Sequence, residues 1–427
     1  MNTLRKALSG SALGAILALA GTAGSPSAQA AIGTLDQVPA ATLLLPYFEV
    51  DRSDPNGPQT RFTVVNSSPV PTIAHATLWT DMGVPTFAFD LYVGGRDSIE
   101  VDLRLLFTPG VLPQTSAAAF TAGPDSNAHT PNSTCVATAT YPGFPVPDAV
   151  PGPMLTHLRL AHTGKASPVF GNMCSAANHA DNVERGYITI DTVHACTSKF
   201  PSDSGYFNTG GTGIATDANV LFGTYTVIDR GNNVSTASPL VAIEASSTDP
   251  QTTTAGAYTF YAGYVNATAI DNRESLGSSV WHARTLNVGF FDPDSDLVVW
   301  RDPGFVHSPF VCGTTPSDFP RQETGIIAFD EQEHPTIYNP GPIYPNLTPP
   351  PIYPVPLLAQ RVPASSMSPY NSGVILLNLN VGLAGMPGAI QGQSKSYVGV
   401  RQRLNGVFGA ELPAVQDLDC SGGCYPF

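Results

Sequence analysis

Ile99-Glu100-Val101-Asp102-Leu103-Arg104-Leu105 alternates apolar and charged side chains at every step, and a strand with one buried face and one wet face is the element that uses this period. Just upstream, Phe87, Phe89, Leu91 and Val93 fall on one face of an extended chain and Ala88, Asp90 and Tyr92 on the other, with Gly94-Gly95 between the two runs. The spacing predicts a hairpin. Arg61 to Val65 and Ile73 to Trp79, parted by Asn66-Ser67-Ser68-Pro69, extend the series. Turn chemistry every ~8–12 residues is the spacing of an antiparallel sandwich. The expected fold class is therefore all-β, an antiparallel β-sandwich of immunoglobulin-like or related type, with one short helix and long Pro/Gly-rich loops.

Further runs rich in β-branched and aromatic residues read as strands: Tyr187 to Val193, Thr224 to Ile228, Leu240 to Ala245, Tyr258 to Val265, Leu286 to Phe291, Leu297 to Trp300, Ile326 to Phe329 and Val374 to Leu379. Tyr397 to Leu404 and Val407 to Leu412 flank Asn405-Gly406, the pair a tight primed turn requires. Pro153 to His162 begins with Pro and stops before Gly164, which suits the one short helix. Pro340 to Pro356 holds eight prolines and repeats Pro-Ile-Tyr-Pro, the composition of an extended polyproline-like arm. The expected organisation is a leader over 1–30, a first β region over 31–111, a loop or linker over 112–152, and a second β region with its helix over 153–339. A proline-rich arm over 340–363 and C-terminal strands over 364–427 follow, the latter candidates to complete the N-terminal sheet.

Composition narrows the function classes. The 427 residues carry 33 acids against 19 bases, a net charge of −14, and only 12% charged residues. A nucleic-acid binder needs a basic face, and a long-helix protein needs far more charge than this. Arg5 and Lys6 precede an apolar stretch from Ala7 to Ala20 and an Ala28-Gln29-Ala30 site, the pattern of a secretory signal peptide cleaved after about Ala30. No later stretch is long and apolar enough for a transmembrane helix. The expected location is outside the cytoplasm, secreted or periplasmic.

Six cysteines, Cys135, Cys174, Cys196, Cys312, Cys420 and Cys424, form an even set, and paired thiols are the rule in an exported chain. The favoured pair is Cys174 with Cys196, which bracket a loop before a strand. Asp292, Asp294 and Asp296 stand at alternate positions of one turn, a candidate Ca²⁺ site, with a solvated acidic turn as the alternative. Leu297 replaces the Gly of an EF-hand loop. Asp330, Glu331, Glu333 and His334 read as a polar loop, and Cys174, His179, His194 and Cys196 have zinc-ligand chemistry that a disulfide with two surface histidines explains better. Trp79, Trp281 and Trp300 are candidates to stack on sugar rings or to fill the core. Nucleophile elbows, zinc-protease helices and phosphate-binding glycine loops do not occur, so no catalytic residue is nominated.

Leu43-Leu44-Leu45-Pro46-Tyr47-Phe48-Glu49-Val50-Asp51 and Thr77-Leu78-Trp79-Thr80-Asp81-Met82-Gly83-Val84-Pro85-Thr86, with Gly186 to Asp191 and Val298 to Asp302, resemble segments of exported bacterial β-rich proteins of uncharacterised type. The resemblance implies an extracytoplasmic location and a β-rich fold and transfers no site residue. The expected role is that of a secreted or cell-surface protein that binds or builds, with a protein or polysaccharide partner or its own copies. The alternatives are a secreted hydrolase of glycans or peptides and an outer-membrane-associated protein, the latter suggested by the terminal Phe427.

Overall fold

The computed structural model describes residues 37–113, 150–208, 213–254, 257–265, 270–276, 280–286, 295–302, 304–314, 316, 325–338, 357–379, 395–404 and 408–416. The fold is mostly β; among the described residues it has three sheets, whose strand pairs are antiparallel with one exception. The first sheet has the order β4-β3-β6-β1-β9, formed by Pro85–Val93, Thr72–Thr80, Val183–Val193, Thr42–Asp51 and Val241–Ile243 respectively. An eight-stranded sheet runs β14 (Ala359–Pro363), β11 (Asp296–Arg301), β16 (Ser396–Leu404), β17 (Phe408–Pro413), β8 (Val234–Pro239), β7 (Leu221–Asp229), β2 (Gln59–Asn66), β5 (Ser98–Asp102). The third sheet runs β13 (Pro335–Tyr338), β12 (Gly325–Phe329), β15 (Ser372–Asn378), β10 (Val280–Leu286), β18 (Val415–Gln416). Strands from the segments 31–111, 153–339, 340–363 and 364–427 thus share hydrogen bonds in one sheet, through the short parallel contact of β17 with β8.

Two expectations fail at the same place. Phe87 to Val93 and Ile99 to Asp102 are strands, but they do not form a hairpin: β4 pairs with β3 in the first sheet and β5 pairs with β2 in the eight-stranded sheet. The chain changes layer at 66–71 and again at 94–97, and the two crossings bond to each other. Asn66, fully buried, donates through Nδ2 to the carbonyls of Val70 (2.7 Å), Gly94 (3.1 Å) and Val93 (3.3 Å). Gly95 is required there, since a Cβ would meet the Pro69 carbonyl oxygen at 2.0 Å. The alternation then stops at Asp102, whose carboxylate accepts the N–H of Arg104 (2.9 Å) and caps α1 (Leu103–Phe107). Leu103, Leu106 and Phe107 turn inward while Leu105 is left exposed, a helical rather than a pleated distribution.

Elsewhere α2 (Gly152–Ala161) fits the expected helix, and α3 (Pro250–Thr253) is a short additional one. Tyr258 to Val265 is not a strand; it is a turn that carries Phe260, Tyr261 and Tyr264 into the core. The 287–291 part of Leu286 to Phe291 lies outside the described residues, as do the leader, 114–149, the Pro340 to Pro356 arm and the Asn405-Gly406 turn. Pro46 stands inside β1 because the β1–β6 register shifts between Leu45 and Phe48, a bulge that frees the position from donating.

The apolar clusters show the layering. Leu43, Leu45, Ala76, Leu78 and Ile190 on one face of the first sheet pack against Phe62 and Val64 of β2, Tyr225 of β7 and Val101 of β5. Its opposite face, with Leu44, Trp79 and Tyr187, packs against Tyr206, Tyr261, Val298 and Trp300. The eight-stranded sheet therefore covers both faces of the first, and its β11, β14 and β16 meet the third sheet on their far side through Leu297, Val299, Val362 and Val398. Among the described residues, no helix is long and apolar enough to cross a membrane.

Candidate functional site

A sheet covered on both faces must satisfy every polar side chain it carries. In the first sheet the ladders place Asp90 opposite His75, His75 opposite Asp191, and Asp191 opposite Thr42, so four polar side chains lie in one transverse row. His75 Nδ1 lies 2.6 Å from Asp90 Oδ1 and Nε2 lies 2.9 Å from the Lys199 carbonyl oxygen. Both neighbours are acceptors, so the ring is held as an imidazolium donating on each side. Burial opposes that charge, yet Asp90, Asp191 and the Lys199 carbonyl together raise the His75 pKa.

Asp191 is the hub. Its Oδ1 accepts from Thr42 Oγ1 (2.5 Å) and its Oδ2 from the hydroxyls of Tyr206 (2.7 Å) and Tyr261 (3.0 Å). Burial, and then the Asp191 charge, push both phenols well above their ordinary pKa, so they stay donors. Arg273, fully buried, donates from Nε to Thr42 Oγ1 (3.0 Å) and from Nη1 and Nη2 to the carbonyls of Asp271 and Thr216 (2.7 Å each). Its guanidinium stacks over Phe207 with 5.0 Å to the ring centre. The row thus fastens the chain at Tyr206, Thr216, Tyr261 and 271–273 onto the sheet. Two anions and two cations compensate one another in the interior, an arrangement suited to holding a unique register rather than to turnover.

A second network answers for Asp296. The carboxylate lies 3.2 Å from Arg403 Nη2 and 3.8 Å from Arg361 Nε, and Arg361 Nη1 lies 2.9 Å from Glu49 Oε1. Arg401 continues to Glu411 (3.0 Å), which also accepts from the Tyr225 hydroxyl. Asp296 is therefore engaged by two guanidiniums at the start of β11. Asp292 and Asp294 lie outside the described residues, and among the described residues no group of three or more His, Cys, Asp or Glu side chains is placed to hold a metal.

The favoured Cys174–Cys196 pairing is corrected: Cys174 is bonded to Cys312, with 5.0 Å between Cα atoms. The reason is the backbone bridge between Cys174 and Phe310, which brings two remote loops side by side. Cys196 is also oxidised, and Cys135, Cys420 and Cys424 lie outside the described residues. The zinc-type set does not assemble, because His179 Nε2 contacts the buried Asp81 (2.9 Å) and His194 Nδ1 contacts the Ile214 carbonyl (2.9 Å). Asp330 and His334 form a turn contact at 2.9 Å after β12. Trp79, Trp281 and Trp300 are all 2% exposed or less, so they fill the core and none presents a ring to a sugar.

The disulfide sits in an apolar patch of surface. Val169, Met173 and Val311 are 55%, 36% and 66% exposed on the two loops it joins. Neither Ala166 to Ser175 nor Ser308 to Thr314 contains a charged residue, although the chain as a whole carries −14. Sequence reasoning missed this patch because its halves are far apart in the chain. It also missed His75, Asp191 and Arg273. The available signal was a charged residue amid apolar neighbours inside a strand, as in Ile73-Ala74-His75-Ala76 and Ile188-Thr189-Ile190-Asp191. The chain matches no protein-family model, no curated protein and no solved structure among those compared with it.

Proposed function

We propose that this is an exported β-sandwich protein with a binding or structural role, and that it associates with further copies of itself through the loop pair joined by Cys174–Cys312. The observation that carries the reading is the exposure of Val169, Met173 and Val311 on two loops that are joined by the disulfide and carry no charged residue of their own. Exposed apolar side chains that cluster mark an interaction surface, whereas single ones do not. A cross-link that preorders the loops lowers the entropy lost on docking. The occupant follows from charge: two copies of a chain at −14 repel over most of their surface and can approach where no charge is carried. Export is supported by the leader-like N-terminus, the oxidised cysteines and the resemblance to exported bacterial proteins.

Light scattering across a concentration series tests this. The chain is expected to associate as concentration rises, and Val311→Asp combined with Val169→Asp is expected to return it to the monomer without lowering its melting temperature. A wild-type chain that stays monomeric at high concentration refutes the self-association.

A further inference from the structure

The ladder of β11 with β16 ends at Arg301 opposite Ser396, and the next pair outward is Asp302 opposite Lys395, whose backbones are bonded N to O at 2.8 Å. Both side chains are buried, Lys395 completely and Asp302 to 2% exposure. Lys395 Nζ lies 3.0 Å from Asp302 Oδ2. It also donates to the carbonyl oxygens of Phe260 (2.8 Å) and Thr259. The rings of Tyr258 and Phe260 lie 4.3 Å and 5.9 Å from Nζ, and the Tyr258 hydroxyl donates to Asp302 Oδ2 at 3.1 Å.

We propose that Lys395 and Asp302 are a covalent modification site, joined in the folded chain by an intramolecular isopeptide bond. Three features of the geometry lead there. The pair is buried beside the Tyr258 and Phe260 rings, where conversion of two charges into a neutral amide and a water removes the cost of holding both ions out of solvent. Two of the three hydrogen positions on Nζ are held by carbonyl oxygens, so loss of the third proton leaves the lone pair aimed at the Asp302 carboxyl. Nζ already lies 3.0 Å from one oxygen of the carboxyl it would attack, so proximity replaces a bimolecular encounter.

The step balances without a co-reactant. Nζ bonds to Cγ of Asp302, the Cγ–O bond breaks with the Tyr258 hydroxyl hydrogen-bonded to the carboxyl, and the oxygen departs as water with two of the three ammonium protons. The third remains on the amide nitrogen and continues to donate to one of the two carbonyls. The product ties the end of β11 to the start of β16, the two strands that separate the first sheet from the third.

Intact mass spectrometry of the exported full chain, denatured and with its disulfides reduced, tests this directly. The expected mass is one water below that of the reduced sequence. Protease mapping is expected to give a branched peptide joining Asp302 to Lys395, with no tryptic cleavage after Lys395. Lys395→Arg keeps the charge, cannot form the amide, and is expected to restore the missing water. An unmodified wild-type mass overturns the proposal. So does a water loss mapped to other residues, or a chain cut at Asp302–Pro303 in place of the branched peptide.

Discussion

The two five-stranded sheets use the same secondary structure for opposite ends. In the first, β3 is buried along its whole length and β6 from Gly186 onward. In the third, β15 buries Gly373, Ile375 and Leu377 and leaves Val374 and Leu376 half-exposed. A strand covered on both faces has no wet side, so its polar residues must meet one another, and His75, Asp90, Asp191 and Thr42 do so in one row. A strand with an open face sends its charges outward, as Arg284 of β10 does to pair with Glu331 at 2.9 Å in water.

The sharpest way to break this contrast is to remove one cation from each sheet's surroundings. Arg273 Nη2 lies 3.8 Å from Asp191 Oδ1, so Arg273→Ala removes one of the two buried cations facing that carboxylate and is expected to cost about 3–5 kcal/mol of unfolding free energy in a urea titration. Arg284→Ala breaks an exposed pair and is expected to cost less than about 1 kcal/mol. Equal losses would mean the row is not the buried, interdependent unit its geometry describes. Next come leucines of one chemistry on successive positions. Leu43→Ala and Leu44→Ala face different apolar clusters and are each expected to cost about 2–5 kcal/mol. In β15 that loss is expected for Leu377→Ala alone, with Leu376→Ala below about 1 kcal/mol.

The smallest effect is a pH slope. A histidine whose folded pKa is raised contributes stability that is complete below its unfolded value of about 6.5 and lost as pH rises through the folded value. His75 is such a group, so unfolding free energy is expected to fall as pH is raised from about 6.5, and His75→Asn is expected to flatten that part of the profile. The third sheet has no buried histidine on its strands to add a slope of this kind. A wild-type profile that rises with pH over this range would reverse the assignment of the proton on His75.

Much of the strand content was legible. Ile73 to Trp79, Tyr187 to Val193, Leu297 to Trp300 and Ile326 to Phe329 all fall within strands, because β-branched and aromatic runs bounded by turn residues suit a pleated, half-buried surface. Tyr258 to Val265 has the same composition and is a turn, since its aromatic rings are used to cover the first sheet rather than to line a ladder. The candidate sites were far less legible. The Cys174–Cys312 bond and the patch around it join positions 138 apart, and the polar row combines four strands and two loops.

The sequence by itself determined that this chain is a β protein with oxidised cysteines, because period and composition are local properties that each segment carries alone. Partnership was decided only in three dimensions. Asp102 shows why: as a strand residue it continues an alternation, but Arg61 lies 2.9 Å from its Oδ2 while Oδ1 caps α1, and the chain turns there. Which strands pair, which thiols join and which buried charges meet depend on contacts between remote segments, and those exist only once the layers have closed on one another.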